Sequence, residues 1–374
     1  MIHNHEWWWR FFPKKELTQV YLSLFLRSFA ISLIGIFVPI YFYQELGFSL
    51  VQTLSFYAFY SVVMAASMPL AASFASRFGV KHSVMLSMPL YIIFLFLMYL
   101  MPTLRMNLMI PAAIVGISLA FYWTGMHLTF YHASDHQHRG EEFGKREGLT
   151  ILAGLVGPLL GGLMIISLGF KSVFLLSSVI LILSSVIIFR TDDEYPTFHF
   201  SVRTMWDKKY WQNSLFFVCR GSQVMANGVI WPLFVFSVVG GYFSLGLMGS
   251  ILSAVTALLL FIVGKFSDHV DKRAIIRGVA GFESLSWILK AFSTTSAHIF
   301  GATIFGAITN GIQDSPLGAL EYDKAKGEPL HYFVSRELFI SLGRILMVLV
   351  VIMLNSLSGG LLFQSIINLA ALLF

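Results

Sequence analysis

Charge and cysteine are what this chain has least of. Asp, Glu, Lys and Arg together make up 12% of its 374 residues, while 57% are apolar; a soluble protein carries about a quarter charged residues. So few charges cannot coat the surface of a water-soluble fold of this length. The single cysteine, Cys219, excludes an intramolecular disulfide. Also missing are a Walker loop, a Ser-x-x-Lys and a His-Glu-x-x-His. Their absence removes ATP hydrolysis by this chain and the commonest hydrolase chemistries. The chain reads as a non-enzyme without cofactor. No cleavable signal peptide is expected, because the start is polar and aromatic and the first apolar run is too long for an h-region.

What is present in abundance is long apolar runs. About twenty apolar residues cross a hydrocarbon core of about 30 Å. On that criterion twelve spans are expected, at 18–43, 50–75, 82–102, 107–132, 147–168, 170–190, 211–238, 245–266, 274–293, 297–319, 333–355 and 358–374. Turn residues mark the joints: Gly47, Gly79, Pro102, Gly169, Gly240-Gly241 and Gly359-Gly360. Residues 1–17, with Trp7, Trp8 and Trp9 beside Arg10, Lys14 and Lys15, suit an interfacial segment. The twelfth run is short and ends within apolar sequence.

The net charge of +6 points to orientation in a bilayer and not to nucleic acid. Counted from a cytoplasmic N-terminus, nineteen of the 25 Lys and Arg residues fall in cytoplasmic segments. Only Arg105 and Lys171 fall outside, and Arg27, Arg220, Lys290 and Arg344 lie within spans. This positive-inside asymmetry predicts a multi-pass protein of the cell membrane with both termini cytoplasmic.

The chain also repeats. Arg27, Gly35 and Pro39 of span 1 recur as Arg220, Gly228 and Pro232 of span 7, all at an offset of 193 residues. Ser76 and Gly79 match Asp268 and Asp271 at 192, and Arg146-Glu147 matches Arg336-Glu337 at 190. Two homologous six-helix halves follow, 18–190 and 211–374, joined by a cytoplasmic linker at 191–210. The fold class expected is all-α integral membrane, with twelve transmembrane helices in two pseudo-symmetric halves.

The turn Gly264-Lys265-Phe266-Ser267-Asp268-His269-Val270-Asp271-Lys272-Arg273 packs two carboxylates, three cations and a histidine between two apolar runs. It resembles the signature loop of the major facilitator superfamily, whose roles fall on Gly264, Asp268, Lys272 and Arg273, with Asp271 where glycine is usual. The first-half copy is degenerate, Ala72 and Ser76 replacing the glycine and aspartate, with Arg77, Gly79 and Lys81 following. The resemblance implies a latch for the outward-open state, weaker in the first half because Ser76 brings no charge to a helix dipole. In span 5, Gly157-Pro158-Leu159-Leu160-Gly161-Gly162 resembles the Gly-Pro-x-x-Gly-Gly signature of the superfamily's drug-efflux antiporters. Physically, small residues allow close helix approach, and Pro158 is expected to bend the helix where the halves rock. The arginine that those antiporters carry in span 4 is absent.

Ionisable residues within spans are the default functional candidates, because each costs about +2.5 to +3.5 kcal/mol on insertion scales. They are Arg27, His127, Arg220, Glu283, Lys290, Asp314 and Arg344. Family resemblance places spans 1, 4, 7 and 10 around a central cavity, so Arg27, Tyr122, Trp123, His127, Arg220, Trp231 and Asp314 are the expected substrate-binding set. Arg27 and Arg220, facing each other, would suit an organic anion or organophosphate; the plainer reading is an arginine holding backbone carbonyls or loop acids. Asp314 is the leading protonatable carboxylate, expected to pair with Arg344 or Arg220, with Glu283 and His127 as further coupling candidates. Lys290 is expected to snorkel to the interface. His132, Asp135, His136 and His138 form a loop cluster, read as solvated, with no metal expected.

The sequence thus predicts a secondary transporter of the major facilitator type, a monomer in the bilayer that binds a small-molecule substrate and protons. Its expected activity is efflux of an amphipathic compound by alternating access. The alternatives are an organic-anion or organophosphate exchanger using Arg27 and Arg220, and a non-transporting sensor or assembly protein of the same fold. An integral-membrane enzyme using the histidine cluster ranks last.

Overall fold

The computed structural model describes residues 15–104, 106–133, 139–188, 195–196, 211–267, 271–325 and 329–373. They form twelve helical rods and, among the described residues, no strand. Rod α1 is Lys15–Ser32, extended by short turns at Gly35–Phe37, Val38–Ile40 and Tyr41–Glu45. Then come α2 (Leu50–Phe78), α3 (Val80–Leu104), α4 (Met109–Ala133), α5 (Arg139–Leu168) and α6 (Phe170–Ile188). The second half holds α7 (Trp211–Met225, continued by Ala226–Ile230 and Trp231–Val239), α8 (Tyr242–Ser267) and α9 (Lys272–Ala291). It ends with α10 (Ser296–Lys324), α11 (Pro329–Leu354) and α12 (Leu357–Ile367, extended by Asn368–Leu373).

Local chemistry sets the boundaries. Ser49 and Gln52 form a reciprocal cap at the start of α2, the Ser49 hydroxyl accepting from the Gln52 N–H at 3.1 Å. Gly79 ends α2 with φ of 104°, a conformation closed to ordinary side chains, so α3 starts one residue later. Several helices outrun their apolar spans. The 30 residues of α5 begin at Arg139, eight before the expected start at 147. The bilayer fixes apolar length, whereas helical hydrogen bonding continues past it.

Nine rods, α1 to α8 and α11, are long and apolar enough to cross a membrane by composition. Rods α9, α10 and α12 are not, among the described residues. The shortfall in α12 is length. In α9 and α10 it is polar content, and those polar groups turn inward: Glu283, Lys290, Asn310 and Gln313 are buried.

The repeat appears in the backbone. The tight turn at Gly35–Phe37 interrupts α1, and the wide turn at Ala226–Ile230 interrupts α7. Adding 193 to 35 and 37 gives 228 and 230, inside the second interruption. Proline follows each break, at Pro39 and Pro232, as expected where a missing N–H cannot continue the preceding helix.

The halves meet along two seams. Rod α2 packs on α11, Met64, Met68 and Ala71 lying against Leu330 and Val334 in one buried cluster. Rod α5 packs on α8 almost backbone to backbone. A Cβ on Gly162 would stand 2.6 Å from the Tyr242 carbonyl, and one on Gly154 2.8 Å from Ser253 Oγ. Gly246 closes on the Pro158 carbonyl, and a Cβ on Gly249 would stand 3.1 Å from Pro158 Cβ. Gly157 and Gly161 face α1, at Ser32 and the Leu33 carbonyl, with no space for a side chain. Rod α5 passes through Pro158 as one helix, so this proline acts as a contact point in the seam, and close packing accounts for the whole glycine motif. Gly162→Leu, whose side chain would run into the Tyr242 carbonyl of α8, is expected to cost at least the roughly 1–3 kcal/mol of an overpacked core. A thermal midpoint in detergent equal to that of the parent protein would contradict the seam.

Candidate functional site

A cavity of about 400 Å³ lies between α5, α7, α8 and α10. Its polar wall carries Arg220, Gln223 and Asn227 from α7 and Asn310 and Asp314 from α10. Ile151, Val224 and Leu252 supply an apolar side. Arg220 Nη2 donates to Asp314 Oδ1 at 2.8 Å, and Nη1 donates to Gln223 Oε1 at 2.7 Å. The pair stays partly accessible, with side chains 21% and 30% exposed. Spacing explains how these residues converge: Arg220, Gln223 and Asn227 lie three and four apart on one helix face, as Asn310 and Asp314 lie four apart on another. Of the two partners expected for Asp314, the structure selects Arg220. Arg344 instead approaches Glu337 Oε2 at 3.9 Å and Met64 Sδ at 2.8 Å.

Arg27 sits elsewhere. Its guanidinium lies 3.1 Å from the centroid of the Tyr122 ring and 5.9 Å from that of Tyr91, so the cation rests on aromatic faces. It is 5% exposed, and its Nε and Nη2 have no hydrogen-bond partner among the described residues. Arg27 and Arg220 are therefore held by different partners, a tyrosine pair in one half and a carboxylate in the other. Among the described residues, no backbone carbonyl accepts from Arg27.

His127 joins the halves. Its Nδ1 lies 2.9 Å from Tyr322 Oη on α10, and its Nε2 lies 3.5 Å from Glu337 Oε1 on α11. The ring stacks between Trp123 and Phe333, at 5.3 and 4.6 Å. Arg336 bonds both Glu337 and Glu321, the latter at 2.9 Å. These groups form a polar knot where the ends of α4 and α10 meet the start of α11.

Trp231 is buried in the main apolar core and stacks on Phe234 at 5.6 Å; it is not part of the cavity wall above. Lys290 does not snorkel. It is 1% exposed, its ammonium 3.8 Å from the centroid of the Trp287 ring, in space left by Gly306. Its side chain turns into the bundle because an aromatic face and a glycine gap receive it there.

In the loop motifs, Asp271 caps α9 by accepting the Arg273 N–H at 2.9 Å. The residue standing where glycine is usual in the resembling family thus starts the helix itself. Lys272 and Arg273 form its first turn. Gly264 lies in the last turns of α8, and Asp268 is outside the described residues. In the first half, Ser76 and Arg77 lie in the last turn of α2, the Arg77 guanidinium 5.3 Å from the Phe78 ring centroid, and Lys81 opens α3. The cluster at Asp135, His136 and His138 also falls outside the described residues, as does the side chain of His132, most of the linker 191–210 and residues 1–14.

Sequence reasoning missed Gln223, Asn227, Asn310 and Glu337. The first three are neutral amides and raise no charge signal. Their one trace was helical spacing, since Gln223 falls three residues after Arg220 and Asn310 four before Asp314.

Two halves of six helices, meeting at two seams around a polar cavity, define a membrane transporter. The sequence profile described as Major Facilitator Superfamily matches residues 20–326, and the chain belongs to that family. An uncharacterised protein of Bacillus subtilis (strain 168), YqgE, is 24% identical over 351 residues, 87% of this chain and 79% of that protein. Solved structures share the fold at 13% identity. The transporter FucP in its outward conformation superposes with a TM-score of 0.68, covering 95% of this chain and 96% of that one. The human organic anion transporter MFSD10 (TETRAN) reaches 0.69, covering 96% and 99%. A POT family transporter in complex with a thioalcohol-conjugated peptide reaches 0.75, covering 96% and 94%.

Proposed function

We propose that this chain exports a small amphipathic compound by alternating access, in exchange for protons. The observation that carries the reading is the cavity wall. An ion pair and three amides face Ile151, Val224 and Leu252 across about 400 Å³, within the usual size of a small-molecule pocket, roughly 300–1,000 Å³. Asp314 is the substrate-sensitive carboxylate, balanced by Arg220 when the cavity is empty. The α5–α8 and α2–α11 seams serve as the surfaces on which the halves rock. The basic asymmetry of the loops supports a cell-membrane protein with both termini cytoplasmic, and the proposed working unit is the monomer.

The test is flux in proteoliposomes under an imposed pH gradient, with amphipathic dyes and small organic phosphates in parallel and Asp314→Asn as control. Gradient-driven dye movement that is lost in the variant is the expected result. Dye movement that ignores the gradient would overturn the exchange.

One observation favours a second reading, organic-anion transport: Arg27 is a buried cation with unmet donors and, among the described residues, no ion pair. On that reading Arg27→Gln abolishes anion exchange and spares a neutral or cationic dye. A variant fully active on the anion removes Arg27 from the site.

A further inference from the structure

Behind the cavity wall lies a second charged centre, on α9. Glu283 is fully buried about midway along that helix. Three donors converge on its carboxylate. Gln223 Nε2 and Trp287 Nε1 each donate to Oε1 at 3.0 Å, and the Thr309 hydroxyl donates to Oε2. Lys290, two turns further along, presses its ammonium on the other side of this arrangement, over the Trp287 ring face, with Trp231 at 5.6 Å. No ion pair joins Lys290 to Glu283 among the described residues, and Lys290 Nζ has no hydrogen-bond acceptor. One indole therefore serves both charges, its N–H on the carboxylate and its face on the ammonium.

Such a pair is costly within a bilayer, and packing alone does not call for it. The room for Lys290 exists because residue 306 is glycine: a Cβ there would stand 2.9 Å from Nζ. The centre is also wired to the cavity. Gln223 accepts from Arg220 through Oε1 and donates through Nε2 to both Glu283 and Asn310, the latter at 2.7 Å. Asp314, Arg220, Gln223 and Glu283 thus form an unbroken series of hydrogen bonds from the cavity surface to the buried carboxylate.

The charged groups acting on Glu283 are Lys290 on its own helix, Asp314 on α10 and Arg220 on α7; Cys219 of α7 is also within its field. Rod α12, whose Asn368 bonds the Ala280 carbonyl and Ser284, has no ionisable side chain between 357 and 373. Two arginine or lysine cations and two carboxylates sum to zero when all are ionised.

We propose that Glu283, backed by Lys290, is a proton-binding site distinct from the substrate cavity and coupled to it through Gln223. Uptake of one proton from water forms an O–H bond on the Glu283 carboxylate and raises the cluster from zero to +1. With the proton on Oε1, that oxygen becomes a donor, and the hydrogen bond it accepts from Gln223 Nε2 is weakened or lost. The amide turns, and the change reaches Arg220. A ligand that draws Arg220 or Asp314 away acts along the same path in reverse. The assignment deepens the proton-exchange reading, naming the group that holds the proton.

The test needs no substrate. Infrared difference spectra of the purified full-length protein, titrated with pH, are expected to show a protonated-carboxyl band that is retained in Asp314→Asn and lost in Glu283→Gln. Lys290→Met is expected to displace the midpoint of that band by about one pH unit or more, as loss of a neighbouring charge does. Arg220→Gln displaces it as well, and a Gln223→Leu background diminishes that second displacement. A band that persists unchanged in Glu283→Gln overturns the site. If that variant does not fold, a midpoint unmoved by Lys290→Met overturns it equally, and an Arg220 effect independent of residue 223 overturns the coupling. A missing band counts against Glu283 alone, whereas silent dye transport counts against the transport reading alone.

Discussion

Asp314→Asn is expected to lower flux by about a hundredfold, and Arg220→Gln to do the same, while the two together lose little more than either alone. The reasoning is electrostatic. Either single change leaves one charge of the 2.8 Å pair without its partner, in a cavity enclosed by membrane-spanning rods. Truncating one member of a hydrogen-bonded charge pair costs about 2–5 kcal/mol, much of it from the charge left behind. The pair here is about a quarter exposed, so the lower part of that range applies, and 2.8 kcal/mol is a hundredfold. Removing both charges removes the mismatch, so the cycle should be strongly non-additive. Initial rates in proteoliposomes for the four proteins measure it. Strict additivity would mean that the two residues act separately and would sink the cavity assignment.

Glu337→Gln carries the other large effect. Glu337 is buried and faces Arg336, Arg344 and His127. Because His127 belongs to the first half, this carboxylate also holds the two halves together at one end of the bundle. Breaking such a buried pair costs about 3–5 kcal/mol, enough to change the ratio of closed to open forms by between about 10²-fold and several thousandfold. The open form is read by the alkylation rate of a cysteine placed at Phe333, in a Cys219→Ser background. The native thiol is buried, so removing it should cost little information. A strongly faster reaction is expected. An unchanged rate with a lowered thermal midpoint would reduce Glu337 to a structural role.

The large-scale plan was legible because it rests on residues whose effects are local. Apolar runs gave twelve rods, and Gly35, Pro39, Gly228 and Pro232 marked the repeat; that the same residues sit at breaks in α1 and α7 went unread, although a helix break needs residues that break helices. Asp314 and Arg220 were legible as candidates but not as partners: they are 94 positions apart, and only the packing of α7 on α10 brings them together. Lys290 was misread for a related reason. A lysine near one end of an apolar run has the pattern of a snorkelling side chain, and what redirects it, the ring of Trp287 and the gap at Gly306, lies partly on another helix. Glu283 and Trp287, four apart, did leave a trace on one helix face. The glycines of α5 carried a family likeness, yet each has a packing neighbour that explains it.

That α5–α8 contact bears on how the substrate could change while the carrier stays the same. Glycines and a proline meet carbonyl oxygens there, with few long side chains to interlock. Surfaces of this kind slide without resetting rotamers, so rocking meets little friction, and apart from Ser253 the contact lies away from the cavity wall. Most of the cavity chemistry sits on other faces of the same rods, at Ile151 on α5 and Leu252 and Thr256 on α8, with Ser253 shared between the cavity and the contact. Specificity and movement are thus separable within one pair of helices at every lining position but Ser253, and the rest of the cavity could be rewritten residue by residue while the bearing beneath it is left untouched.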